Sequence, residues 1–335
     1  MTMSAPIAHG GGITEAAARF GGAPDDWLDL STGINPCPVA LPKIDARVWH
    51  RLPDRHLEET ARAAARGYYR TGDLMPLPVP GTQAVIQLLP RLADPERRAA
   101  IFGPTYGEYA RVLKAAGFAV DPVACADDLS AAHGIAVLVN PNNPTGRLFP
   151  PDEILAMATA MKAHGGLLVV DEAFGDLEPE ASVAPHVAAQ DNLVVLRSFG
   201  KFFGLAGLRL GFVVANATIT ASFREWLGPW AVSGPALSIS ATLLESDTKP
   251  IRDGILQRNE ALHTVLCSAG INVVGGTGLF VLVDHERAND LHAGLCRERI
   301  LTRKFDYDRR WLRIGLAADA DGDRRLAEAL RLAGV

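Results

Sequence analysis

The sequence has few cysteines, no excess of positive charge and no long apolar run. Its four cysteines are scattered without a CxxC pair, which argues against a disulfide framework and against a zinc site. The formal net charge of -5 gives no reason to expect nucleic acid as a partner. No apolar run reaches the roughly 18 residues that span a membrane. The first residues lack a basic segment followed by an apolar one, so we expect no signal peptide and a cytoplasmic protein.

Composition and length are those of a soluble globular protein with one or two domains, since hydrophobic residues make up 48% and charged residues 21% of 335. Residues 1–45 are rich in Gly and Pro and predict an N-terminal arm that packs with a small domain and the active site. Residues 46–220 predict a large domain and residues 221–335 a smaller C-terminal α/β domain.

Short apolar runs alternate with helical patterns along most of the chain. The predicted strands cover residues 99–102, 118–123, 135–139, 167–170, 193–196, 211–214, 279–283, 300–303 and 311–316, besides a short strand near 27–30. The predicted helices cover residues 14–20, with Thr14 as a cap, and then 56–69, 82–92, 106–116, 151–164, 218–227, 236–245, 250–269, 288–298 and 320–332. Near-continuous apolar strands separated by helices predict a mostly parallel α/β sheet covered on both faces.

Lys201 stands on a Gly-rich stretch between two apolar runs, which we interpret as a turn between buried strands. A lysine in partly apolar surroundings has a lowered pKa and can form a Schiff base with a carbonyl, as lysines do with pyridoxal 5'-phosphate (PLP). Asn143 and Asp171 follow other apolar strands closely. Because ligands bind beyond the carboxyl ends of parallel strands, we expect all three polar groups at one edge of the sheet.

The sequence also offers candidate residues for the other contacts that a protein makes with PLP. Asp171 can pair with the ring nitrogen and improve the ring as an electron sink. Gly81 and Thr82 open a predicted helix whose amides can bind the phosphate. Ser198 and Arg209 can add a hydroxyl and a guanidinium. Tyr106 can stack on the ring. No metal site is predicted.

Four motifs in this order resemble those of the fold-type I PLP enzymes, the aspartate aminotransferase superfamily. They are Gly-Thr-Gln-Ala at 81–84, Asn-Pro-Asn-Asn-Pro-Thr-Gly at 140–146, Asp-Glu-Ala-Phe at 171–174, and Ser-Phe-Gly-Lys at 198–201 with Arg209 beyond it. The resemblance implies that Asn143 binds the cofactor's 3'-oxygen, Asp171 its ring nitrogen, and Ser198 and Arg209 its phosphate. It also implies that Arg313 grips the substrate's α-carboxylate and that the protein is a homodimer.

Two positions depart from that pattern. Many members have a tyrosine, which donates to the 3'-oxygen, where this chain has Phe174. Related enzymes also carry Tyr-Pro where Leu52 and Pro53 stand, and their tyrosine reaches the phosphate of the neighbouring subunit. That contact is therefore missing here, or it passes to His50, Arg51 or Arg55.

The two ends of the chain resemble a narrower group, the superfamily members that decarboxylate L-threonine O-3-phosphate for cobalamin biosynthesis. The likeness lies in His9 to Gly12, in residues 27–36 and in Arg303. It implies the products (R)-1-aminopropan-2-ol O-phosphate and CO2, with Lys201 as the donor that returns a proton to Cα. We expect Arg313 to bind the substrate carboxylate; the residues expected to bind the rest of the substrate, mainly its phosphate, are His9, Gly10, Gly11, Asn35, Asn143 and Arg303.

Other functions share parts of the same pattern. An aminotransferase of histidinol phosphate or a related amino acid would carry the same cofactor motifs. A protein that binds PLP without catalysis would not need the intact set of Asn143, Asp171, Lys201 and Arg209. An esterase would use His9 and its glycines as an oxyanion loop, but the chain has no Gly-x-Ser-x-Gly motif. We therefore predict the decarboxylase.

Overall fold

The computed structural model describes residues 9–334, which form two compact units. The first unit consists of Val39–Asn142 and Leu148–Asp247. The second consists of residues 9–38, Asn143–Arg147 and residues 248–334. The domain boundaries after residues 45 and 220 stay predictions.

The strands and helices follow each other along the chain as in the printed sequence. The strands are β1 (Leu28–Asp29), β2 (Leu77–Val79), β3 (Arg98–Phe102), β4 (Val120–Val123), β5 (His133–Val139), β6 (Leu167–Asp171), β7 (Leu193–Ser198), β8 (Gly211–Val214), β9 (Val273–Thr277), β10 (Phe280–Asp284), β11 (Ile300–Leu301), β12 (Arg303–Lys304) and β13 (Trp311–Gly315). The α-helices are α1 (Ile13–Phe20), α2 (Arg47–His50), α3 (Arg55–Tyr68), α4 (Thr82–Leu88), α5 (Glu108–Ala115), α6 (Pro151–Ala163), α7 (Phe199–Phe202), α8 (Ala217–Leu227), α9 (Gly234–Leu244), α10 (Lys249–Ser268), α11 (Ala288–Arg297) and α12 (Ala320–Leu332).

The first unit contains a seven-stranded sheet in the order β2-β8-β7-β6-β5-β3-β4. Every neighbouring pair from β4 to β7 is parallel, and β8 alone runs antiparallel to both of its neighbours. Strands β5 and β8 are buried along their whole length, as expected for a sheet with helices on both faces. The predicted mostly parallel α/β fold is confirmed.

The second unit contains an antiparallel sheet in the order β12-β13-β10-β9, together with α10, α11 and α12. The N-terminal segment belongs to this unit, because β1 pairs in parallel with β11. The backbone amide of Gly315 also donates to the carbonyl of Leu30 at 2.7 Å. A side chain at Gly315 would lie 2.3 Å from the carbonyl oxygen of Thr32, so glycine permits this close contact.

Several local predictions were wrong. The predicted strand 300–303 is two short strands that belong to different sheets, separated at Thr302. Thr14 does not cap α1, because the helix begins one residue earlier and its N-cap is Gly12. Strands β2 and β9 were not predicted: one holds a proline in three residues, and the other two consecutive glycines, both of which weaken a strand pattern.

Candidate active site

The carboxyl ends of β2, β6 and β7 lie at one edge of the sheet in the first unit. Asp171 is the last residue of β6 and Ser198 the last residue of β7. The register places Ser198 opposite Gly211, and Gly211 opposite Val79, which is followed closely by Gly81. The prediction that polar groups converge on one sheet edge therefore holds for the residues of this unit.

Asp171 is a buried carboxylate, only 4% exposed. Its Oδ2 accepts a hydrogen bond from the hydroxyl of Tyr109 at 2.6 Å, and its Oδ1 accepts one from the amide of Ala173 at 3.0 Å. Burial raises the pKa of Asp171, while these two hydrogen bonds and the charge of Lys201 act to lower it. A cationic ring nitrogen beside this carboxyl would favour its ionised form.

Lys201, which was predicted on a Gly-rich turn between two buried strands, lies in the single helical turn α7 between β7 and β8. The turn is fixed by aromatic packing, since the rings of Phe199 and Phe203 stack at 4.4 Å and Phe202 meets Phe203 edge-on at 5.2 Å. A side chain at Gly200 would lie 2.6 Å from Cα of Ala206, so only glycine fits there. The lysine is half-buried.

Phe174, which replaces the tyrosine of many superfamily members, is buried beside Lys201. The Nζ of Lys201 lies 5.7 Å from the centre of its ring, within the range of a cation–π contact. Phe174 cannot donate to a cofactor oxygen, and its ring lies near the amine of Lys201 instead.

Gly81 and Arg209 form the candidate phosphate cradle. Gly81 has φ 76°, and a side chain there would lie 2.8 Å from Nη2 of Arg209. Arg209 is itself left-handed, with φ 53°, a conformation that costs a non-glycine residue about 1–2 kcal/mol. Thr82 follows as the first residue of α4, where backbone amides lack acceptors within the helix. Such strain at a ligand site is typical of residues held for binding.

Tyr106 and Tyr109 pack edge to face, with ring centres 6.2 Å apart. The hydroxyl of Tyr106 donates to Oε1 of Gln83 at 3.1 Å. Tyr109 was not predicted as a site residue. In the predicted helix 106–116 a spacing of three would place both tyrosines on one face, and this was the available signal; α5 itself begins only at Glu108.

Arg313 and Asn143 meet inside the second unit. Arg313 lies on β13, is 7% exposed, and donates from Nη1 to Oδ1 of Asn143 at 2.6 Å and from Nη2 to the carbonyl of Ser31 at 2.6 Å. Its guanidinium lies 4.9 Å from the ring centre of Phe280. These contacts fix the plane of the guanidinium, as bidentate binding of a carboxylate requires.

Arg303 is the cross-strand neighbour of Arg313. The register of β12 and β13 places the two residues directly opposite each other, so their side chains project from the same face of the sheet. Like charges at opposite positions destabilise a sheet. The guanidinium of Arg303 also lies 5.6 Å from the ring centre of Phe305. Two paired arginines are therefore suited to a ligand with two negative groups.

The N-terminal glycines are packed against Ser31. A side chain at Gly10 would lie 2.4 Å from the carbonyl oxygen of Ser31, and the amide of Gly11 donates to its Oγ at 2.7 Å. A phosphate oxygen at the Gly11 amide would have to share or replace that bond. Asn35 is buried and its Oδ1 accepts from the amide of Cys37 at 2.9 Å, whereas His9 is exposed. Their roles in phosphate binding stay predictions.

Two observations from the first unit indicate that these residues are suited to bind pyridoxal phosphate. The buried Asp171 carboxyl has a raised pKa that a cationic ring would relieve, with the Lys201 charge acting on it. The backbone at Gly81 leaves room beside Arg209 that any side chain would fill. An amine, a buried acid and a backbone cradle are the groups that this cofactor uses.

The fold and these groups define a class of proteins. The family model for aminotransferases of class I and II matches residues 25–330, and the chain belongs to that family.

Comparison with individual proteins is more specific than the match to the family model. The chain is 69% identical to a threonine-phosphate decarboxylase of Sinorhizobium sp over 328 residues, which cover 98% of each chain. It is 41% identical to the threonine-phosphate decarboxylase of Pseudomonas aeruginosa, over 97% of each. The solved histidinol-phosphate aminotransferase of Sinorhizobium meliloti in complex with pyridoxal 5'-phosphate has a TM-score of 0.77 and 20% identity, covering 98% of this chain and 96% of that one. This last likeness shows the fold. Within residues 9–334, no helix combines the length and apolar character needed to cross a bilayer.

Proposed function

We propose that this chain is a PLP-dependent carboxy-lyase that converts L-threonine O-3-phosphate to (R)-1-aminopropan-2-ol O-phosphate and CO2 for cobalamin biosynthesis. The observation that carries the proposal is the 69% identity, over nearly the whole of both chains, to a threonine-phosphate decarboxylase. An alignment over 98% of the chain covers most of the N-terminal segment and the Arg303 region, where the substrate's second anion is expected to bind.

The substrate carries a carboxylate and a phosphate, and the second unit offers two adjacent arginines for them. Arg313, whose plane is fixed by Ser31 and Asn143, binds the carboxylate. Arg303, directly opposite on β12, binds the phosphate together with His9, the Gly10 and Gly11 amides and Asn35.

The residues of the first unit hold the cofactor. Lys201 would be its covalent attachment point, Asp171 would pair with the ring nitrogen and Tyr106 would stack on the ring. Gly81, Thr82, Ser198 and Arg209 would hold the phosphate, and Asn143 would bind the 3'-oxygen. Pyridoxal phosphate, when bound, supplies an electron sink for the charge left on Cα as CO2 departs.

Lys201 also moves a proton. Its amine would hold the proton that Cα receives after loss of CO2, and fast delivery would prevent elimination of the phosphate at Cβ.

Incubation of the holoenzyme with threonine phosphate tests the proposal. Release of CO2 together with 1-aminopropan-2-ol phosphate, without a 2-oxo acid, is expected. Formation of glutamate from 2-oxoglutarate without CO2 would instead assign the aminotransferase activity that histidinol-phosphate aminotransferases carry. Lys201→Ala should lose the visible absorbance of the bound cofactor, which checks the attachment point independently.

We also propose a homodimer that works in the cytoplasm. Large apolar side chains of the first unit are exposed, with Leu52 at 65%, Trp49 at 64% and Trp230 at 59%. Such side chains favour burial against a second copy. Light scattering of the purified protein should give twice the chain mass of 35.7 kDa, and a monomer would contradict this proposal.

A further inference from the structure

A series of hydrogen bonds links Arg111 to Tyr106 in the first unit. Nη2 of Arg111 donates to Oε2 of Glu108 at 2.7 Å. Nε2 of Gln83 donates to the same carboxylate oxygen at 2.8 Å, and Oε1 of Gln83 accepts from the Tyr106 hydroxyl at 3.1 Å. Both polar atoms of the Gln83 amide are thus used, one on each side.

Glu108 is 4% exposed, and buried carboxylates are rare unless they are paired. The hydrogen bond from Arg111 is the main cause that lowers the pKa of Glu108, against the effect of burial. The group therefore stays ionised and accepts hydrogen bonds only. An acceptor at this position forces the nitrogen of the Gln83 amide toward Glu108, and its oxygen toward Tyr106.

The ring plane of a tyrosine is weakly set by its own torsion angles, because the ring torsion is broad. Tyr106 packs against the hydrophobic core of the first unit, and two further contacts restrain its ring. Its hydroxyl is bound to Gln83, and its ring meets Tyr109 at an interplanar angle of 81°. Tyr109 is in turn fixed by its hydrogen bond to Asp171. The stacking residue and the acid at the ring nitrogen are therefore mechanically connected.

A purely local role for Glu108 explains less. Glu108 begins α5, and its bond to Arg111, three residues on, would be enough to stabilise that helix end. Gln83 belongs to a different helix, α4, and follows the candidate phosphate-binding residue Thr82. The bond between Glu108 and Gln83 joins α4 to α5, as does the bond from Nε2 of Gln87 to the same carboxylate oxygen at 3.2 Å, but Gln83 also carries the connection on to Tyr106.

We propose that Glu108 is a positioning residue, which acts through Gln83 to hold the ring of Tyr106 in the plane required to stack on the cofactor. This inference rests on the proposed function, since the stacking of Tyr106 is part of it.

The test measures cofactor binding rather than turnover. Glu108→Met and Gln83→Met remove the acceptor and the amide at similar volume. Each should raise the Kd of the apoprotein for pyridoxal phosphate roughly three- to tenfold, the range of one lost hydrogen bond. Each should also weaken the induced circular dichroism of the bound cofactor. The double variant should be no worse than the weaker-binding single variant, because both changes interrupt the same linkage.

Glu328→Met is the matched control, because Glu328 pairs with Arg331 at the same spacing on the exposed side of α12. It should leave both readouts unchanged. Thermal unfolding of the apoproteins shows whether each variant is folded, and if Glu108→Met is not, the half-buried Gln83→Met carries the test.

Unchanged affinity and dichroism in Gln83→Met, or additive effects in the double variant, would overturn the positioning role. Tyr106→Ala separates this failure from that of the larger proposal. If Tyr106→Ala leaves the Kd unchanged, the stacking itself is wrong. If Tyr106→Ala weakens binding while Gln83→Met does not, only the role of Glu108 is wrong. Neither outcome depends on whether threonine phosphate is the substrate.

Discussion

Asp171 ends β6 inside the protein, and its burial raises its pKa. The folded apoprotein therefore holds this proton more tightly than the unfolded chain does. Stability is lost as the pH rises from the pKa of an exposed aspartate, about 3.9, through the raised pKa of the folded state. Above that pKa the full penalty applies, at about 1.4 kcal/mol for each unit of difference.

Asp171→Asn removes this titration because asparagine does not ionise. The side-chain oxygen of asparagine can still accept the hydrogen bond from Tyr109. The melting temperature of the variant apoprotein, relative to the native apoprotein, should rise as the pH increases from about 4 to about 7. Thermal unfolding at a series of pH values measures this, and a difference that stays constant across the series would contradict the assignment.

Arg197 is a second buried charge, 3% exposed and placed directly before Ser198. Burial alone would lower its pKa, but Asp176 and Glu172 raise it, through bonds of 2.8 and 2.6 Å. Arg197→Met leaves two carboxylates buried without their cation and should destabilise the protein by about 3–5 kcal/mol in urea unfolding.

Arg98→Met serves as the control for that measurement, because Arg98 pairs with Asp121 where the side chains are 48% and 30% exposed. Little change is expected there. Equal losses in the two variants would show that burial does not decide the effect.

The variant Arg303→Ala tests whether Arg303 binds the phosphate of the substrate, while Arg313 binds its carboxylate. Arg303→Ala should raise the KM for threonine phosphate at least about tenfold, because a charge-assisted hydrogen bond is lost. Lys304→Ala, the exposed neighbour on β12, should leave the KM unchanged. An unchanged KM in Arg303→Ala would move the phosphate to other residues.

At the scale of elements, the segment Asn143–Arg147 is fixed on β9 by contact between backbones. Gly276 donates from its amide to the carbonyl of Thr145 at 3.2 Å. A side chain at Gly146 would lie 1.8 Å from the carbonyl oxygen of Gly276, so the two strands of backbone touch. This contact sets the position of Asn143 for its bond to Arg313.

Gly146→Ala should therefore destabilise the protein by about 1–3 kcal/mol more than Gly270→Ala, the usual cost of overpacking. Gly270 is a close control, since its φ of 71° matches the 72° of Gly146 and a side chain there meets nothing within 4 Å. Urea unfolding compares them. Equal losses would mean that φ alone, rather than the contact with Gly276, explains the cost.

Most elements were predictable because their signals are local. The apolar runs of β5, β6 and β7 are continuous, and the helix bounds of α6 and α12 agree with the predictions within one residue. Long-range pairing was not predictable. Nothing local to Arg303 shows that it lies opposite Arg313, and nothing near Gly275 shows that the backbone of Thr145 packs on it.

At the scale of the whole molecule, the cofactor motifs could be predicted from the sequence, because each combines an unusual residue with the end of a strand. Asp171 and Lys201 are two such residues. The supporting residues Tyr109, Glu108 and Gln83 were missed, since buried tyrosines and helical glutamates are common and only their contacts in the folded protein distinguish them.

The central claim is that the chain removes CO2 from threonine phosphate and returns one proton to Cα. The most direct measurement is the reaction of carboxyl-labelled threonine phosphate in deuterium oxide, with the holoenzyme and no 2-oxo acid. We expect labelled CO2 and an equal amount of aminopropanol phosphate, which carries one deuterium on the carbon that lost CO2 and keeps its phosphate intact. Release of inorganic phosphate in place of that product, or no labelled CO2, would contradict it.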